Sequence, residues 1–99
     1  MLHIVNKSHT DRTALASCLR LAKDGQSLLL TEDGIYAATT GAAGASGIAA
    51  ASGRLKVYAL QPDVEARGMA GKLIDGVALV DYAGFVDLVA EHSTNQSWL

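Results

Sequence analysis

Ninety-nine residues, 49% of them hydrophobic and 18% charged, describe one folded domain and leave little room for disorder. Eight Lys and Arg against ten Asp and Glu give a net charge of −2, without the basic excess of a domain that grips nucleic acid unaided, so no direct nucleic-acid partner is expected. A single cysteine, Cys18, excludes an internal disulfide and a disulfide-stapled secreted scaffold, which makes a reducing cytoplasm the expected setting.

Leu2 to Asn6 reads as a short first strand. No basic stretch followed by a long apolar one accompanies it, so no signal peptide is expected, and no apolar run approaches the ~18 residues of a membrane span. Ser8, Thr10 and Asp11 offer helix N-caps. From Asp11 to Asp24 the positions Leu15, Cys18, Leu19 and Ala22 fall at i, i+3, i+4 and i+7, one helical stripe, and Gly25 closes it as a C′ residue would. Leu28-Leu29-Leu30 is apolar without alternation, as in a strand buried on both faces of a parallel sheet. Asp33-Gly34 turns the chain, and Ile35 to Ala38 reads as a further extended piece.

Thr39 to Gly53 is almost entirely Ala, Gly, Ser and Thr; a weak Ala-rich helix near Ser46 to Ser52, with a mobile loop before it, is the expectation. Leu55 to Leu60 is the next strand. Gln61-Pro62-Asp63 opens a short helix, with Pro where its missing N–H costs nothing, and Gly68 stops it. Val77 to Val80 is the last strand, and Asp81 caps a final helix. There Tyr82, Phe85, Val86 and Val89 follow the helical spacing, and Leu88 widens the stripe beyond what one sheet face requires, so the surplus is expected to face another subunit. A polar tail ends in Ser97-Trp98-Leu99. The alternation of strand and helix implies an α/β fold, a mostly parallel sheet flanked by helices.

Few residue patterns point to chemistry. Gly41 to Gly47 is glycine-rich but matches neither phosphate-loop pattern, so a surface loop is expected there. His3, His9 and His92 lack metal-ligand spacing, and neither metal nor cofactor is expected. Glu32 and Asp33 are adjacent and diverge, which argues against an acid–base pair. Trp98 is either a frayed end or an anchor into a partner. Cys18 is flanked along its helix by Ala14, Leu15, Leu21 and Ala22, with no charge to activate it, and reads from local chemistry as a small core residue.

Taken in order, these segments resemble the TusB/DsrH family. Leu2-His3-Ile4-Val5-Asn6-Lys7-Ser8, Ser17-Cys18-Leu19 and the run from Leu28 to Ala38 carry the resemblance in the first half. Val57-Tyr58-Ala59-Leu60, Ala66-Arg67-Gly68, the run from Val80 to Leu88 and Gln96-Ser97-Trp98 carry it in the second. The resemblance implies a DsrE-like fold filling residues 1–99 as one domain. It also implies the smallest of three related subunits in a heterohexamer with two copies of each, the partners being of the TusC/TusD or DsrF/DsrE type. In the Tus branch such a complex passes persulfide sulfur toward 2-thiouridine at the tRNA wobble position. In the Dsr branch it handles sulfur during dissimilatory sulfur oxidation. In both, another subunit holds the principal sulfur-accepting cysteine, and sulfur-carrier proteins dock transiently. Relatives with a cysteine in the first helix make Cys18 the candidate persulfide carrier. Three readings follow: a relay subunit in which Cys18 takes up sulfur, a structural and docking subunit of the same complex, and an unrelated small nucleotide-binding module.

Overall fold

The computed structural model describes residues 1–10 and 13–98. Strands β1 (Leu2–Val5), β2 (Ser27–Leu30), β3 (Lys56–Leu60), β4 (Val77–Val80) and β5 (Asn95–Trp98) form one sheet in the order β4-β3-β2-β1-β5. Every pairing is parallel, and Val5 sits opposite both Leu30 and Trp98. Helices α1 (Ala14–Leu21), α2 (Ala43–Ser46), α3 (Ile48–Ala51), α4 (Gln61–Ala66) and α5 (Tyr82–Glu91), with a 3-10 helix over Glu32–Ala38, make the connections.

The unbroken leucine run does what a central parallel strand requires. All of β2 is buried, and its side chains alternate between two unequal layers. Leu28 and Leu30 join Val5, Val57, Ala59 and residues of α1, the 3-10 helix and α3 in the larger core. Leu29 and Leu2 face the other way, where α5 brings only one buried side chain, Leu88, with Phe85 and Val80 packed alongside. Full burial of each such Leu stabilises the fold by roughly 1.5–3 kcal/mol, so most of the cohesion lies on the first side.

Three segments depart from the sequence reading. Residues 35–38 are helical rather than extended. The 3-10 helix passes so close to the end of β1 that a Cβ on Gly34 would collide with the Val5 carbonyl, and Ile35, Ala37 and Ala38 are buried by that approach. The alanine-rich segment holds its expected helix as α3, but the loop expected before it is a second single-turn helix, α2, divided from α3 at Gly47, whose φ of +89° is the left-handed region that glycine adopts freely. Ser46 ties this corner down, its hydroxyl donating to the Ala37 carbonyl at 2.7 Å. The polar tail is strand β5, seated on the edge of β1.

Helix α1 starts later than its stripe suggests. The Ser8 and Thr10 hydroxyls hydrogen-bond each other at 2.9 Å instead of capping, Thr13 is the N-cap without a side-chain bond, and Asp11 lies outside the described residues. The helix ends at Leu21, with Ala22 already extended. Gly25, φ +84°, makes a separate turn whose N–H donates to the Arg54 carbonyl at 2.7 Å.

Candidate functional site

Helix α1 lays Leu15 and Cys18 against the larger core, as its stripe predicts, with Leu19 packed at the margin and Ala22 buried just past the helix end. Cys18 is 0% exposed. Burial pushes its thiol from an ordinary 9.0 up to about 11, and the Arg54 guanidinium offsets only part of this. At pH 7 a group with that pKa is thiolate in about one molecule in ten thousand. Arg54 is occupied elsewhere: it donates to the carbonyls of Leu19 and Ala22, the latter at 2.8 Å, and lies 3.4 Å from Asp24. It closes the C-terminal end of α1, where a cation is favoured.

The histidines do not reach the thiol. His3 is buried between two partners: its Nε2 meets the Gln26 amide oxygen at 2.7 Å, and its Nδ1 accepts from the Trp98 indole N–H at 3.1 Å. That assigns the neutral tautomer protonated on Nε2. Trp98 is thereby tied into its own chain, half-buried against the larger core rather than frayed. His92 Nδ1 donates to the Leu88 carbonyl at 2.6 Å at the end of α5, and His9 Nδ1 is buried without a partner among the described residues. Among the described residues no three His, Cys, Asp or Glu side chains gather as a metal site, and no helix is long and apolar enough to cross a membrane.

Helix α5 presents the opposite situation. Asp81 caps it, its carboxylate accepting from the Gly84 N–H at 2.8 Å. Its apolar stripe is wide enough that Leu88 turns to the sheet while Tyr82 (61% exposed), Val86 (66%) and Val89 (37%) face outward. Phe85, Val86, Val89 and Ala90 border a shallow, almost wholly apolar depression of about 300 Å³. An apolar face of this kind on a small domain marks a contact with another protein.

A second depression, about 310 Å³, opens at the carboxyl ends of the strands beside the start of α5. Asn6, Thr31, Glu32 and Asp63 supply its polar groups. Of these only Glu32 draws attention in the sequence, as a neighbour of Asp33; the four follow three different strands, β1, β2 and β3, and meet only when the sheet is assembled. The available signal was positional, since parallel sheets place ligand sites beyond their carboxyl ends. Glu32 and Asp33 do diverge: the Glu32 N–H donates to Asp63 Oδ2 at 2.6 Å, while Asp33 pairs with Arg67 at 2.9 Å. That ion pair raises the Arg67 pKa further. The glycine-rich stretch from Gly41 to Gly47 enters α2 and its left-handed end, and has no place in this depression.

Comparison with known proteins gives a consistent set of relatives. The family model described as DsrH-like protein matches residues 7–95. The chain is 38% identical over 98 residues to Protein TusB of Shigella flexneri, an alignment covering 99% of this chain and 100% of the relative. It is similar to the same extent, over the same shares, to Protein TusB of Escherichia coli strain K12 and of Escherichia coli O6:K15:H31.

Proposed function

We propose, from the premise that the chain belongs to the DsrH-like family, that it is a subunit of a sulfur-relay assembly acting toward 2-thiolation of the wobble uridine in tRNA. The observation that carries this is the 38% identity with TusB proteins over 99% of this chain and 100% of the relative. Two related DsrE-like subunits complete the assembly as a cytoplasmic heterohexamer, and one of them bears the principal sulfur-accepting cysteine. This chain supplies shape and contact. The outward face of α5 supports that role, because Tyr82, Val86 and Val89 are costly to leave in water and need a partner surface.

Cys18 enters this reading as a core residue. A persulfide carrier must let another thiolate reach its sulfur, whereas Cys18 is sealed under α1 with its pKa raised to about 11. The carrier role would require α1 to lift from the sheet. A DsrH-type place in sulfur oxidation is the second reading, favoured by the family model that matches and by the presence of a cysteine in α1.

Intact mass spectrometry of the assembly purified through this chain tests the proposal. Two related subunits should co-purify in equal copies. After incubation with a persulfide donor, the gain of about 32 Da should fall on a partner and not on Cys18. Recovery of this chain alone would refute the assembly, and an adduct on Cys18 would refute the division of labour.

A further inference from the structure

The depression at the carboxyl ends of the strands has a chemistry that the relay reading leaves unused. The connections run outward from β1 through β2 and β3 to β4, the chain then returns to lay β5 on the other side of β1, and the depression lies beyond the carboxyl ends of these strands, where open parallel sheets bind ligands. Alternation along β1 sends Asn6 to the same face as Leu2 and Ile4, and Asn6 Oδ1 is a buried acceptor with no hydrogen-bond partner among the described residues. Thr31 is 8% exposed and turns its side chain into the same space, and its hydroxyl bonds to nothing among the described residues.

The charges are one-sided. Asp63 is half committed, one oxygen accepting from the Glu32 N–H and the other 3.9 Å from Arg67. Among the described residues Glu32 makes no ion pair and no Lys or Arg lines the depression. An anion would meet two carboxylates. A donor-rich cation would meet the Glu32 carboxylate and the Thr31 hydroxyl, with the Asn6 amide in the wall behind them, Tyr82 and Phe85 as aromatic walls and Ile4 and Leu60 as an apolar floor for its stem.

We propose that this depression is a receptor for an alkylguanidinium or alkylammonium group, carried on an arginine or lysine side chain of the partner that covers α5. The partner is indicated by continuity: Phe85 borders both this depression and the apolar one on α5, so a chain lying along α5 passes the opening. Charge agrees, since α5 and its cap carry Asp81, Asp87 and Glu91, and no Lys or Arg follows Lys72. This part of the proposal rests on the reading of α5 as a subunit contact; the cation preference does not.

Saturation-transfer NMR with butylguanidinium chloride and the full-length chain tests it, with neutral butylurea of the same shape and inorganic phosphate as controls. The expected result is saturable butylguanidinium binding with a dissociation constant in the range of about 1 mM, and butylurea at least about tenfold weaker. Glu32→Gln and, separately, Thr31→Val should each weaken the cation about fivefold or more while leaving circular dichroism unchanged. Equal binding of butylurea, saturable phosphate binding, or indifference to Glu32→Gln would overturn the cation assignment. In the purified assembly the probe should no longer bind. If it binds there as well as to the isolated chain, no partner side chain occupies the depression, and that half of the proposal falls while the relay reading stands.

Discussion

At the scale of single residues, the stripe Leu15-Cys18-Leu19-Ala22 was legible because a helical period points to one face, and the structure buries that face. What the period could not show is how completely α1 covers the sulfur. The consequence is measurable. In the isolated chain, Cys18 should react with iodoacetamide at neutral pH only as fast as α1 opens, and denaturant should accelerate labelling sharply. The same burial gives stability a pH dependence. The folded-state pKa, about 11, lies above the ordinary 9.0, so the folded chain holds this proton where the unfolded chain has lost it. Stability tied to the thiol is therefore intact below about pH 9 and lost as pH rises through about 11, by at most about 2–3 kcal/mol. Cys18→Ala should cost about 1–2 kcal/mol at pH 7 and show no such alkaline fall, so the two stability curves converge as pH rises. Parallel curves in urea titrations from pH 8 to 11 would contradict the sealed-thiol account.

At the scale of elements, β1 to β4, α1, α4 and α5 were readable from apolar runs, caps and the early Pro62. α3 falls inside the helix expected near Ser46 to Ser52; the remaining segments were not readable, for reasons particular to each. β5 has the sequence Asn-Gln-Ser-Trp and carries no strand pattern; it is held by backbone pairing to β1 and by the indole N–H on His3, both long-range. Trp98→Ala should therefore cost about 2–3 kcal/mol in the chain itself, since a half-buried tryptophan is lost with its hydrogen bond. Emission from Trp98 should already be blue-shifted before any partner is added, and a free-indole spectrum in the folded chain would refute the docking. The 3-10 helix was misread because Ile35 to Ala38 has strand-like composition, while the constraint that shapes it is the contact of Gly34 with the Val5 carbonyl. Gly34→Ala should destabilise the fold by about 1–3 kcal/mol, the usual cost of forcing atoms into a filled space, and thermal melts would show it. The depression at the strand ends was illegible for a related reason: Asn6, Thr31 and Asp63 converge only through the sheet register.

At the scale of the whole molecule, the sheet has one face under a full core and one face under α5 alone, with Tyr82, Val86 and Val89 turned away from it. Mean hydropathy of +0.21 already signalled more apolar surface than one small core hides. The chain expressed alone should self-associate, as sedimentation would report. Val86→Asp should relieve this with a stability change within about 0.5 kcal/mol, because the side chain touches little in its own fold. The central claim is that this subunit serves the relay through that face and not through its thiol. The most direct test is the 2-thiouridine content of tRNA, measured by nucleoside mass spectrometry in a host lacking the chain and resupplied with variants. The modification should be lost without the chain, restored by the wild type and by Cys18→Ala, and not restored by Val86→Asp. Restoration by Val86→Asp together with failure of Cys18→Ala would contradict the account.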